Sequence, residues 1–99
     1  MPAVVRIGDS LSTGHGCADK TTIASTPQST VTADGILVAI VGAPTVSHAF
    51  PPDPPCAPHV AQLNVGSTTV KIGGIAVGRI GDSADAGAMT TGSGTVTVG

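Results

Sequence analysis

Short alternations of apolar and polar residues run along the chain, each interrupted by a pair of turn-forming residues. Thr30-Val31-Thr32-Ala33 reaches Asp34-Gly35 and resumes as Ile36-Leu37-Val38, and Thr69-Val70-Lys71-Ile72 reaches Gly73-Gly74 and resumes as Ile75-Ala76-Val77. A period of two is the signature of a strand with one buried face. Asp-Gly and Gly-Gly pairs tolerate the positive φ of two-residue hairpins. The pattern therefore predicts an all-β fold of short strands and tight turns. The longest apolar run, residues 36–41, is far too short to span a bilayer as a helix.

The two hairpin patterns are copies of one unit. Residues 29–42 align with residues 68–81 at a constant offset of 39, from Ser29/Thr68 to Gly42/Gly81. A third copy is split between the chain ends, with Gly94-Thr95-Val96-Thr97-Val98-Gly99 matching the first half and Ala3-Val4-Val5-Arg6-Ile7-Gly8 the second. Its turn falls where residue 99 meets residue 1, so the two termini are expected side by side. Internal periodicity means stacked or radially arranged units. Three units closed on themselves predict a small cone of three β-hairpin-like repeats with pseudo-threefold symmetry, in a single domain over residues 1–99. Arg6 and Arg79 are equivalent in this alignment, each followed by Ile-Gly-Asp-Ser, which reads as an Asp-anchored turn.

Composition sharpens this picture. Gly (14) and Pro (8) alone would suggest disorder, but 40% hydrophobic residues, mostly Val, Ile and Ala, argue for a packed core. A 99-residue chain leaves that core small, and chains of this size commonly add a disulfide, a metal or a partner. Only four cations accompany a net charge of −2, which gives no footprint for a phosphate backbone and excludes nucleic acid as a partner. The N-terminus lacks the basic start and apolar core of an export signal. That suggests synthesis in a reducing cytoplasm, where the pair Cys17 and Cys56 is expected as thiols rather than as a disulfide.

Metal-ligating residues gather in the connections that follow the repeat units: His15 and Cys17 in the first, His48, Cys56 and His59 in the second, and none in the third, where Ala88 takes the place of the histidine. Residues 49–58 hold five prolines in a stiff, non-helical loop that returns Cys56 and His59 towards the other ligands. His15, His48, Cys56 and His59 would make a closed tetrahedral set of the kind that holds structural zinc, and the same donors also suit iron. Cys17 is an alternative to Cys56 or His15, although a small buried thiol is the role expected of it. Asp53, among the prolines, reads as a turn residue. Without any Glu, a His-Glu-x-x-His helix, a nucleophile elbow or a phosphate loop, nothing in the chain marks an enzyme.

The split repeats, the Arg-Ile-Gly-Asp pieces and the His/Cys connections together resemble the PAAR-repeat family over nearly the whole chain, especially the spike-tip proteins of contractile-tailed phages and related type VI secretion spikes. The Pro-Ala-Ala-Arg signature is incomplete: Pro2-Ala3-Val4-Val5-Arg6 and Ile75-Ala76-Val77-Gly78-Arg79 retain an Arg, and Ile36-Leu37-Val38-Ala39-Ile40 has neither Pro nor Arg. The resemblance implies a cone whose apex loops are tied by one zinc ion, held by three His and one Cys at His15, His48, His59 and Cys56. It implies a structural role, capping and sharpening a trimeric β-helical spike with one copy per trimer, and transient piercing of a target membrane. The expected location is the tail tip of a virion assembled in the host cytoplasm, or alternatively export through a type VI apparatus. Two further functions stay open at this point: a tip that recruits effector cargo non-covalently, and a small metal-dependent hydrolase.

Overall fold

The computed structural model describes residues 1–50 and 57–99. Among these residues there is no helix, and ten short strands form five two-stranded antiparallel hairpins. They are β1 (Ser10–Ser12) with β2 (Lys20–Thr22), β3 (Thr32–Ala33) with β4 (Ile36–Leu37), β5 (His48–Phe50) with β6 (Ala57–His59), β7 (Lys71–Ile72) with β8 (Ile75–Ala76), and β9 (Ser83–Ala84) with β10 (Gly87–Ala88).

The turns form where the sequence places them. Asp34 and Gly35 have φ of 56° and 77°, and Gly73 and Gly74 have 60° and 84°, so both pairs adopt the left-handed geometry that matches strand twist. Thr32 pairs with Leu37 and Lys71 with Ala76. Across the chain ends Ala3 pairs with Thr97, and the Val98 amide donates to the Pro2 carbonyl at 2.9 Å. The termini lie side by side, as the split repeat requires.

Residues at matching repeat positions make matching hydrogen bonds. Val5 donates to Gly78, Gly78 to Ala39 and Ala39 to Val5, each at 2.9 Å, so three amides close a ring. A second ring runs from Ile7 to Leu37, from Val41 to Ala76 and from Ile80 to Ala3 at 2.9–3.0 Å. Arg6 bridges Val38, Ile40 bridges Val77 and Arg79 bridges Val4. These bonds satisfy backbone groups that short strands would otherwise expose at their edges.

Each first strand is preceded by the same local device with different chemistry. Ser67 Oγ accepts from the Thr69 and Val70 amides, and Ser93 Oγ from those of Thr95 and Val96. In the remaining unit Gln28 Oε1 accepts from Thr30 and Val31, while its Nε2 donates to the Val38 carbonyl. The Arg-Ile-Gly-Asp pieces are Asp-anchored turns, with Asp9 Oδ2 accepting the Arg6 amide at 2.7 Å and Asp82 Oδ2 the Arg79 amide at 2.8 Å. The same carboxylates hold the guanidinium of the same arginine.

The described residues form two buried apolar clusters. One packs Val4, Val38 and Val77 with Ala33, Ile40, Ile72 and Val98. The other contains Val5 and Ala39 from the amide ring together with Leu11, Ile23, Leu63, Ala84 and Met89. Ile23, Leu63 and Met89 return from the three long connections, and their carbonyls accept from Gly8, Gly42 and Gly81 in turn. Gly78 lacks a side chain for a packing reason, since a Cβ there would stand 2.5 Å from Leu63 Cδ2.

Candidate metal centre

The three connections that leave Gly8, Gly42 and Gly81 differ in length but all double back. The first places His15 in the loop between β1 and β2. The second carries His48 and His59 as direct cross-strand partners of β5 and β6, which puts both imidazoles on one face. The third is the tight β9–β10 hairpin, where Asp85 occupies the turn with φ of 54°.

These four side chains converge. One ligand atom from each of His15, His48, His59 and Asp85 lies within 4.8 Å of all the others. His15 Nε2 and His48 Nε2 are 3.2 Å apart, Asp85 Oδ2 is 2.8 Å from both, and Asp85 Oδ1 is 3.3 Å from His59 Nε2. The His15 and His48 rings stack with centroids 5.1 Å apart, while His59 stands edge-on to each. The side chains of His15, His48 and Asp85 are only 7%, 5% and 6% exposed.

The tautomers follow from the backbone. His15 Nδ1 is 2.9 Å from the Gly16 carbonyl and His48 Nδ1 is 2.9 Å from the Val46 carbonyl. A carbonyl can only accept, so both Nδ1 atoms carry hydrogen. In the neutral ring this leaves an Nε2 lone pair aimed at the shared centre, the outer-shell arrangement typical of metal-binding histidines. Two such lone pairs facing a buried carboxylate repel one another unless protons or a cation lie between them. The group can hold a metal ion. The hydrogen bond to Gly16, opposed by burial and aided by Asp85, raises the His15 imidazole above its ordinary value. Burial pushes the Asp85 carboxyl up, but its bonds to His15, His48 and His59 prevail and hold it below the usual range.

Local sequence fixes Asp85 in place. Its amide donates to the Gln62 carbonyl and its carbonyl accepts from Asn64 Nδ2 at 3.0 Å, tying the turn to the second connection. Gly14 and Gly87 let the turn press against the first connection. A Cβ at Gly14 would lie 2.2 Å from the Ala86 carbonyl oxygen, and one at Gly87 would lie 2.0 Å from that of Ser12.

Three of the expected ligands, His15, His48 and His59, are therefore brought together, and Cys56 lies outside the described residues, as does Asp53. Two expectations need correction. The third connection is not without a candidate ligand: it brings Asp85 to the histidines, through the turn and not through the position of Ala88. Cys17 is not a buried free thiol, and the expectation of thiols over a disulfide fails with it: Cys17 is exposed, has φ of 74° and is disulfide-bonded. The signal for Asp85 was an Asp beside a Gly-containing turn at the same point in the repeat as the other ligand-bearing connections. Comparison with known protein families and with curated proteins returns no match.

Proposed function

We propose that this protein is a metal-stabilised spike tip, a cone of three repeats whose base seats on the end of a trimeric β-helical spike and whose metal-bearing connections form the point. The observation that carries this reading is a set of equally exposed valines. Val31, Val70 and Val96 occupy one repeat position, are 40%, 36% and 38% exposed, and line a single apolar depression of about 280 Å³ together with Val4, Val38 and Val77. Ile36 and Ile75, at another shared position, are also exposed. A monomer that repeats its apolar contacts three times around an axis is matched to a partner with true threefold symmetry. Burial of those side chains against the partner would remove them from water, and the adjoining short strands can extend a neighbour's sheet by strand addition.

The role of the metal in this reading is mechanical. His15, His48, His59 and Asp85 come from all three connections, so one ion would tie three loops into a single rigid end. Zinc suits such a closed site, and iron fits the same donors. A side chain beside the three histidines that can take the fourth position, as Asp85 can, favours a structural role over hydrolysis, where a position stays open for water. Phage tail and type VI spike both present the required trimeric end, and non-covalent effector cargo is compatible with either.

The test is stoichiometry. The purified protein, mixed with a trimeric β-helical spike end and weighed by native mass spectrometry, should bind as one chain per trimer. Val70→Asp, which places a charge in the depression, should weaken binding at least about 10-fold while leaving metal content unchanged. Three chains per trimer, or no association with a trimeric spike end, would overturn the capping function.

A further inference from the structure

The resemblance to PAAR proteins implies a cysteine as the fourth ligand, and the geometry points to a different donor. We propose that Asp85 completes the coordination sphere, so that the ion is held by three imidazoles and a carboxylate with no thiolate. The inference rests on the metal-bound reading above, but not on docking to a spike.

The Asp85 side chain is almost fully buried, and among the described residues its contacts within hydrogen-bonding reach are the three histidine Nε2 atoms. A carboxylate in such a place is costly unless cations or donors compensate it. His15 and His48 spend their Nδ1 hydrogens on backbone carbonyls, so a divalent cation is the compensating charge that leaves both rings neutral. In a tetrahedral site with bonds of about 2.0–2.1 Å the ligand atoms stand about 3.3 Å apart. The His15–His48 separation of 3.2 Å already has this spacing, and Asp85 presents Oδ2 to His15 and His48 and its other oxygen, Oδ1, to His59 at 3.3 Å. To seat one ion the Asp85 carboxylate moves outward from its two 2.8 Å contacts, and the widest pair of ligand atoms, which lie within 4.8 Å, closes in.

The backbone is arranged to hold this donor. Asp85 sits at positive φ in a two-residue turn, anchored by Gln62 and Asn64 and admitted by the missing side chains of Gly14 and Gly87. A nitrogen and oxygen donor set has a chemical consequence. Thiolate ligands are lost to oxidation, alkylation and disulfide formation, whereas imidazole and carboxylate are not. Cys17 is already disulfide-bonded, and metal retention would be independent of the cysteine redox state.

Cobalt(II) loaded into the reduced full-length chain tests the assignment without any substitution. We expect ligand-field bands of a four-coordinate site and no sulfur-to-cobalt charge-transfer band in the near ultraviolet. In parallel, zinc affinity should fall about 10–100-fold or more in Asp85→Asn, which preserves shape, and stay within about twofold of the parent in the Cys17→Ser/Cys56→Ser double variant. A charge-transfer band, or zinc lost with the cysteines but kept by Asp85→Asn, would overturn the carboxylate ligand while leaving a metal-bound tip intact. Failure to take up cobalt or zinc at all would overturn this inference and the metal in the proposed tip together, and would leave the stoichiometry of capping to be judged separately.

Discussion

Single residues carry unequal loads at positions that the repeat makes equivalent. Asp34 stands where the other units have Gly73 and Gly99, and its carboxylate accepts from the Ser93 and Thr95 hydroxyls and from Arg6 Nη1 at 3.0 Å. It thereby ties the β3–β4 hairpin to the C-terminal segment. The Ser93 and Thr95 hydroxyls, opposed by burial and assisted by Arg6, hold its carboxyl below the ordinary value. A group depressed in the folded state stabilises the fold above its unfolded value, and that contribution is lost as pH falls through the folded value. Thermal midpoints should thus decline on acidification into and below the normal Asp range. Asp34→Asn should lower the midpoint at neutral pH and flatten this acid limb. An acid limb of unchanged steepness in the variant would exclude the network as its source. Nothing in the sequence singled out Asp34 beyond its turn, because the Ser93 and Thr95 hydroxyls reach it only after the termini have met.

At the level of elements, the hairpin turns were legible because Asp-Gly and Gly-Gly constrain φ locally. The Asp-anchored turns after Arg6 and Arg79 were legible for the same reason, since donor and acceptor are three residues apart. The metal cluster was legible only in part. Histidines announce themselves by rarity, whereas Asp85 joins them through a contact between separate elements, the β9–β10 turn packed on the loop after β1. That contact depends on Gly87, whose Cβ position is blocked by the Ser12 backbone. Gly87→Ala should therefore cost about 1–3 kcal/mol in denaturant unfolding through overpacking, and should also weaken zinc binding by displacing Asp85. Gly94→Ala, with open space around its Cβ, is the control and should change neither. Equal zinc affinity in Gly87→Ala and the parent would mean that the turn does not position the ligand.

For the whole molecule, the decisive contacts join residues far apart in sequence: Ala3 with Thr97, Val4 with Val96, and the ring of Val5, Ala39 and Gly78. The 39-residue offset made these pairings foreseeable, since a unit split between the chain ends is whole only if the ends pair. What the offset could not convey is how the layers interlock, with Gly78 yielding space to Leu63 where Val5 and Ala39 keep side chains. If the ends complete a hairpin equivalent to the other two, the position of the chain break is incidental. A circular permutant that joins Gly99 directly to Met1, and opens the chain between Gly73 and Gly74, makes Gly99-Met1 a covalent two-residue turn in exchange for the one it opens. Surface turns of this kind are the sites where permutation succeeds. The permutant should fold cooperatively, bind one zinc ion and unfold within about 2 kcal/mol of the parent, because loop closure is merely exchanged between equivalent positions. A chain that remains unfolded with zinc present would show that the pairing of residues 3 and 97 is not interchangeable with the hairpin at Gly73-Gly74. The three units would then be alike in sequence without being equivalent in the energetics of closure.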